Sequence, residues 1–345
     1  MSAWRSEITI DLGAVRANVR RLLAAVGDAE VWAVVKADGY GHGAVDVGRA
    51  ALGAGASALC VATIPEALEV RAALPEARLL VMGPTRTADW GAAAEARLEI
   101  AVADGRVPEG IPVHLKLDTG MGRWGLSELP SPTRETVGIM SHLATADTDP
   151  VFAELQVQRF REAVAPFQGR FTCHLANSAA ALRLPTAAFD ATRCGIAVYG
   201  LSPFGADPAD DGLQPVLSWR SELALVKQLA PGESTGYGRR YLAERPTWIG
   251  IVPVGYADGF RRHLTDTHVL VDGRRRPVVG TVSMDAIAVE LQSELSVGTP
   301  VTLVGDGLLL EEHARLAGTI NYELASGINS SPLRARRIVI DARAG

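Results

Sequence analysis

Between Val31 and Gly195 eight short apolar runs follow one another, most of them separated by alanine-rich stretches. The runs are Val31–Lys36, Ser57–Ala62, Arg78–Met82, Leu98–Val102, Val113–Leu117, Val137–His142, Phe171–Leu175 and Ala191–Gly195. Each is too short for a helix and is closed by turn residues, which reads as a buried strand. The intervening segments Gly43–Gly53, Pro65–Leu74 and Phe152–Phe167 have helical composition. Strand and helix in alternation specify a parallel sheet, and eight such strands predict a closed (β/α)8 TIM-like barrel with its chemistry at the C-terminal strand ends. Two crossovers are poor material for helices. Residues 104–112 are Gly- and Pro-rich and shorter than the roughly 10 to 12 residues a crossover with its helix needs, and residues 124–136 hold Pro130 and Pro132. One or two barrel helices are therefore expected to be trimmed.

After Gln214 the rhythm changes to β-branched runs, Trp248–Val254, His268–Val271, Pro277–Ser283 and Thr299–Val304, joined by turn residues. Asp272-Gly273 between two of them is a hairpin signal. The expected organisation is a barrel domain over 1–213 and a mainly antiparallel β domain over 214–345, divided where Pro, Gly and Asp cluster near 207–214.

The 345 residues are 48% hydrophobic and 21% charged, which excludes a disordered chain, and the net charge of -5 gives no support to nucleic-acid binding. No apolar run is long enough for a membrane span, and the first residues lack the layout of a signal peptide, so a cytoplasmic protein is expected. Cys60, Cys173 and Cys194 are odd in number and lie in apolar strands, as reduced core thiols do; no metal site is expected.

Polar residues collect at the expected strand ends: Lys36, Lys116 with Asp118, His142, Asn177 with Ser178, and Arg193. Lys36 ends its run and meets a glycine-rich turn at once, in the stretch Val34-Val35-Lys36-Ala37-Asp38-Gly39-Tyr40-Gly41-His42-Gly43. A lysine so placed can form a Schiff base with an aldehyde if desolvation or a neighbouring cation lowers its pKa. Taken alone, such a lysine is more often a solvated strand cap.

The wider set of motifs decides between those readings. Lys116-Leu117-Asp118-Thr119-Gly120-Met121-Gly122-Arg123, Ser141-His142-Leu143-Ala144, Asn177-Ser178-Ala179 and Arg193-Cys194-Gly195-Ile196 follow the lysine motif. Gly236-Tyr237-Gly238, Gly255-Tyr256-Ala257-Asp258-Gly259, Ser283-Met284-Asp285 and Ile320-Asn321-Tyr322-Glu323 complete the series. Over nearly its whole length the chain resembles the alanine racemases, pyridoxal-phosphate enzymes that interconvert L- and D-alanine and supply D-alanine for peptidoglycan.

The resemblance implies a role for each matching residue. Lys36 holds pyridoxal 5'-phosphate covalently and serves as one acid-base group, with Tyr237 as the other; racemization removes a proton from one face of Cα and returns it to the opposite face. Arg193 donates to the pyridine nitrogen, and His142 stands beside it. Tyr40, Ser178, Tyr322 and the N–H groups of Gly195 and Ile196 hold the phosphate. Arg123 and the N–H of Met284 meet the substrate carboxylate, Tyr256 narrows the entry, and Lys116 matches a lysine that is often carbamylated. Tyr237, Tyr256, Met284 and Asp285 reach the site of a second subunit, so the resemblance implies a homodimer with composite active sites. The alternatives are a racemase for another or broader range of amino acids, and a non-catalytic carrier of the same cofactor. Decarboxylases of similar fold place an acid at the ring nitrogen, and Arg193 argues against them. A cofactor-free phosphosugar isomerase leaves the lysine and tyrosine unexplained.

Overall fold

The computed structural model describes residues 5–341. The chain divides into two compact units, residues 14–214 and residues 5–13 with 215–341.

The first unit is a closed parallel barrel of eight strands, β2 to β9 in chain order: Glu30–Val34, Ala58–Val61, Leu79–Val81, Glu99–Val102, Val113–Lys116, Thr136–Met140, Thr172–His174 and Ala191–Cys194. All eight runs expected from the sequence are strands, each within two residues of its predicted ends. The barrel closes where β9 pairs with β2, Val31 opposite Thr192 and Ala33 opposite Cys194. Val31, Trp32, Leu59, Leu80 and Ile100 are fully buried, as expected for parallel strands covered on both faces.

Helices Ala44–Gly53, Ile64–Ala73 and Pro150–Val164 lie where the alanine-rich segments predict them. Thr63 and Glu66 form a capping box that starts the second, and Asp149 caps the third by accepting from the N–H groups of Val151 and Phe152. The third packs Val157, Phe160 and Val164 against Leu117, Ile139 and Leu175 of the barrel wall. Residues 104–112 and 124–136 contain no helix, so both crossovers are trimmed. Their composition explains it: glycine and proline raise the free energy of a helix, and too few apolar residues are available to hold one on the barrel.

The second unit is a nine-stranded sheet and a two-stranded ribbon. It contains β1 (Glu7–Asp11), β10 (Leu217–Glu222), β11 (Leu225–Leu229), β12 (Ser234–Thr235), β13 (Tyr241–Leu242), β14 (Thr247–Val252), β15 (His268–Val271), β16 (Arg274–Val279), β17 (Ile287–Leu291), β18 (Pro300–Val304) and β19 (Arg336–Ile340). Pairing is antiparallel except between β1 and β19. Asp272 and Gly273 form the expected two-residue hairpin between β15 and β16, both with positive φ.

Two differences from the sequence reading stand out. The run expected to extend to Ser283 ends at Val279, because Gly280 turns with φ +68 and sits against Thr235 so closely that a Cβ would lie 2.7 Å from its carbonyl oxygen. And the first strand, though it precedes the barrel in sequence, pairs with β10 and β19. Among the described residues, no helix is long and apolar enough to cross a membrane.

Candidate active site

The barrel carries its polar side chains on one rim. Lys36 follows β2 by two residues, Lys116 ends β6, His142 follows β7, Ser178 lies beyond β8, Arg193 is inside β9 and Gly195 follows it. These are C-terminal strand ends, where loops vary while the sheet holds position.

After Lys36 the backbone takes an unusual path. Ala37, Asp38, Gly39 and Tyr40 all have positive φ, between 48 and 60°, and form a left-handed turn closed by Gly39 N–H to Val35 O and Gly41 N–H to Ala37 O. Left-handed backbone costs roughly 1–2 kcal/mol for each residue with a Cβ, so surrounding contacts must impose it. Glu66 does part of this: one carboxylate oxygen accepts from Ala37 N–H at 2.8 Å and the other from the N–H groups of Ala62 and Thr63. The Asp38 carboxylate accepts from Ala44 N–H. Tyr40 is thereby buried against Tyr199, ring centroids 5.0 Å apart, with the Lys36 amine 5.9 Å from the Tyr40 ring centre.

Opposite this turn, Ser178 Oγ accepts from the N–H groups of Gly195 (3.0 Å) and Ala197 (3.3 Å). The helix cap of Ser178–Arg183 is supplied by Asn177, which accepts from Ala180 N–H, and Ser178 is left to face the Gly195 loop. Ile196 opens the short helical turn Ile196–Tyr199, so its N–H lies outside the intrahelical ladder. A Cβ on Gly195 would stand 2.5 Å from the Tyr40 hydroxyl, and only glycine admits that approach.

The β unit gathers a second group. Tyr256 N–H donates to Ser283 O and Ala257 N–H to Met284 O, both at 3.0 Å, joining the Tyr256 and Met284 loops. Thr281 Oγ1 donates to Tyr237 O and ties in the third loop. Tyr237 is 71% exposed, Met284 53% and Tyr256 41%. Arg334 bridges Asp258 and Asp285 at 2.8 Å to each, bracing the same segment. Tyr322 lies half-buried in helix Asn321–Ser326 of this unit. The residues named from sequence thus fall into a barrel-rim group and a β-unit group.

A family model of the alanine racemase N-terminal domain matches residues 10–203, and one of the C-terminal domain matches residues 216–338. The chain belongs to the alanine racemase family. It is 40% identical to the alanine racemase of Lactiplantibacillus plantarum, over 97% of this chain and 98% of the relative. The crystal structure of alanine racemase from the D-cycloserine-producing Streptomyces lavendulae superposes with a TM-score of 0.90 at 35% identity, covering 99% of this chain and 98% of that one. Alanine racemase from Bartonella henselae, solved with covalently bound pyridoxal phosphate, gives 0.87 at 27% identity, covering 97% and 99%. The family's enzymes are isomerases, and this racemase has their fold throughout.

The electrostatics of its rim suit that cofactor. Burial lowers the pKa of Lys36, and Arg123 lowers it further while Glu66 opposes. Burial, with Arg193, Arg123 and Lys36 nearby, brings Lys116 down to about 7, against the pull of Asp118. His142 is held well below its usual range by burial and by Arg193, Arg123, Lys116 and Lys36, so its imidazole is neutral. Four basic side chains, Lys36, Lys116, Arg123 and Arg193, therefore converge where an anionic ligand would be favoured. A desolvated amine, a cluster of backbone and hydroxyl donors, and a close-approach glycine form a donor set that fits a phosphate-bearing aldehyde.

Arg193 is fully buried, donating to Ser141 O at 2.5 Å and Leu175 O at 3.2 Å, and it stands 3.5 Å from His142 Nδ1. Lys116 and Arg123 both lie over the Trp124 ring, at 5.0 and 4.7 Å from its centre. Asp118 accepts from the N–H groups of Gly120, Met121 and Gly122, a loop-forming role. Sequence reasoning missed Glu66 and Thr281, and it placed Asn177 at the rim without foreseeing that it caps the helix Ser178–Arg183. The Thr63-x-x-Glu66 capping signature locates Glu66, but its bond to Ala37 depends on two adjacent barrel strands being in register.

Proposed function

We propose that this racemase interconverts L- and D-alanine with pyridoxal 5'-phosphate bound covalently at Lys36, and that Lys36 and Tyr237 are the two acid-base groups. The observation that carries the reading is the desolvated Lys36 amine, held by the Glu66-braced left-handed turn among Lys116, Arg123, His142 and Arg193. When bound, the cofactor supplies an aldehyde that takes up amino groups and a conjugated ring that accepts the electron pair left at Cα.

The protein's own groups do the rest. Lys36, neutral at a lower pH than a free lysine, exchanges a proton with one face of Cα. Following the family resemblance, Lys36 acts on the proton of D-alanine and Tyr237, from the opposite face, on that of L-alanine. Arg193 donates to the ring nitrogen without giving up its proton; burial lowers its pKa only to about 10, so it restrains the ring as an electron sink and favours prompt return of the proton. Tyr40, Ser178, Gly195, Ile196 and Tyr322 hold the phosphate, with His142 beside Arg193. Arg123 pairs with the substrate carboxylate as a fork, joined by the Met284 N–H, and Tyr256 limits the side chain at the entry.

We take the barrel unit, residues 14–214, as the cofactor domain and the β unit, residues 5–13 with 215–341, as the part that completes the site of a partner subunit in a homodimer. The exposure of Tyr237, Tyr256 and Met284 supports this, since large apolar and aromatic surface of that kind is expected to be covered in the working assembly. A cytoplasmic location and a supply of D-alanine to peptidoglycan agree with three buried free thiols and with the family. Lys116 is a candidate for carbamylation: its neutral amine adds to carbon dioxide, forming one C–N bond and releasing one proton, and the carbamate anion meets the surrounding cations. A mass increase of one carbon dioxide on the Lys116 peptide in bicarbonate buffer supports this, and an unmodified amine there refutes it.

The purified protein should be yellow and should convert either enantiomer of alanine to the racemate. A yellow protein that exchanges the α-proton of neither enantiomer overturns the racemase reading in favour of a cofactor carrier.

A further inference from the structure

The barrel interior holds a second polar feature that the reaction as described leaves unused. His174 Nδ1 lies 2.6 Å from Arg193 Nη1, His174 Nε2 lies 2.8 Å from His114 Nδ1, and His114 Nε2 lies 2.7 Å from Glu99 Oε2. Arg78 clamps the far end, donating from Nε to Glu99 Oε1 at 2.7 Å and from Nη2 to Oε2 at 3.1 Å. Both imidazoles are fully buried. Trp32 walls them, its ring centre 4.6 Å from that of His174 and 5.7 Å from that of His114.

The chain of contacts has one direction. A guanidinium has donors only, so His174 Nδ1 must accept. The proton of neutral His174 then sits on Nε2 and is given to His114 Nδ1, and the proton of His114 sits on Nε2 and is given to Glu99. Every donor finds an acceptor in this arrangement, whereas inverting either imidazole sets two donors or two acceptors face to face. The titration of the groups agrees. Burial lowers the pKa of both histidines. Burial acts to raise that of Glu99, but hydrogen bonds from His114 and Arg78 outweigh it and bring the carboxyl down to about 2. Burial pushes the nearby Cys60 and Cys194 thiols up to about 12, so neither is an anion at neutral pH. Glu99 is then the carboxylate to which this buried chain leads from Arg193.

We infer that Glu99, His114 and His174 form a directional hydrogen-bond relay that fixes the Arg193 guanidinium and couples it to a remote carboxylate, making the three of them positioning residues for the racemase reaction. The consequence for catalysis rests on the proposed placement of Arg193 at the cofactor's ring nitrogen. The relay itself does not.

The test uses the holoenzyme labelled with 15N in histidine and arginine. The relay predicts that His114 and His174 are both neutral Nε2–H tautomers. Glu99→Gln removes the charge while keeping a side chain of the same shape; it is expected to shift the ring-nitrogen signals of both histidines and the side-chain signals of Arg193, and to lower kcat with little change in KM. An Nδ1–H or cationic His174 in the unaltered enzyme overturns the relay without any variant having to fold. So does a folded Glu99→Gln protein whose His174 and Arg193 signals stay in place. If those signals move while kcat and the cofactor's visible absorption do not, the relay stands and the placement of Arg193 at the ring nitrogen fails.

Discussion

Lys36 and Lys116 show how one rim gives two amines different tasks. The left-handed turn and burial set Lys36 as a nucleophile, and Glu66 tempers the shift. In the cofactor-free protein, acylation of Lys36 followed by mass spectrometry against pH should show an inflection below the ordinary 10.5, and Glu66→Gln should move it lower; an inflection at 10.5 in both contradicts the electrostatic account. For Lys116 the sign runs through linkage. Its folded pKa of about 7 lies below the unfolded value of 10.5, so between these values the unfolded chain binds the extra proton and stability rises with pH. A shift of that size corresponds to on the order of 5 kcal/mol. In bicarbonate-free buffer the cofactor-free protein should gain stability from pH 7 toward 10, and Lys116→Met should flatten that slope. An unchanged slope in denaturant melts of the variant would contradict the assignment. Neither shift was legible in the sequence, because each depends first on burial in the folded barrel and then on charges the fold brings close, Arg123 for both amines and Arg193 for Lys116.

Among the elements, the turn at Ala37–Tyr40 and the Gly195 loop face each other, and both tolerate little. Ala37→Gly removes a Cβ from a left-handed position and should stabilise the fold by roughly 0.5–1 kcal/mol in a denaturant melt, while activity falls because the turn that aims Lys36 has loosened. Higher activity with higher stability would show that the strain is not functional. Gly195→Ala meets the Tyr40 hydroxyl and should weaken cofactor binding at least tenfold in a visible titration; unchanged affinity would mean that the two elements do not hold the phosphate together. The eight barrel strands were readable because each is a short apolar run between turns. The left-handed turn was hidden, since Ala37 and Tyr40 do not announce positive φ and a single Asp such as Asp38 is only a weak sign of it. The relay histidines were hidden as well, since His114 and His174 stand inside runs that read as ordinary buried strand.

For the molecule as a whole, the sequence was readable where pattern is local and silent where partners are distant. Glu7–Asp11 alternates as a half-buried strand should, yet nothing in those five residues says that they pair with β10 and β19 rather than with the barrel they precede. The motifs of both halves were legible; that they act in one site is our proposal and rests on the family resemblance. Composite sites predict that inactive Lys36→Ala and Tyr237→Phe chains, mixed under conditions of subunit exchange, recover activity, because one heterodimer site then holds both native groups. Absence of recovery with proven exchange would place Lys36 and Tyr237 of a site in the same chain.

The central claim is that Lys36 and Tyr237 work on opposite faces of Cα. Its most direct measurement is the uptake of solvent deuterium at Cα of L- and of D-alanine by the two variants, each supplied with pyridoxal phosphate. The account predicts that Lys36→Ala loses exchange chiefly from D-alanine and Tyr237→Phe chiefly from L-alanine; equal loss for both enantiomers in both variants would contradict it.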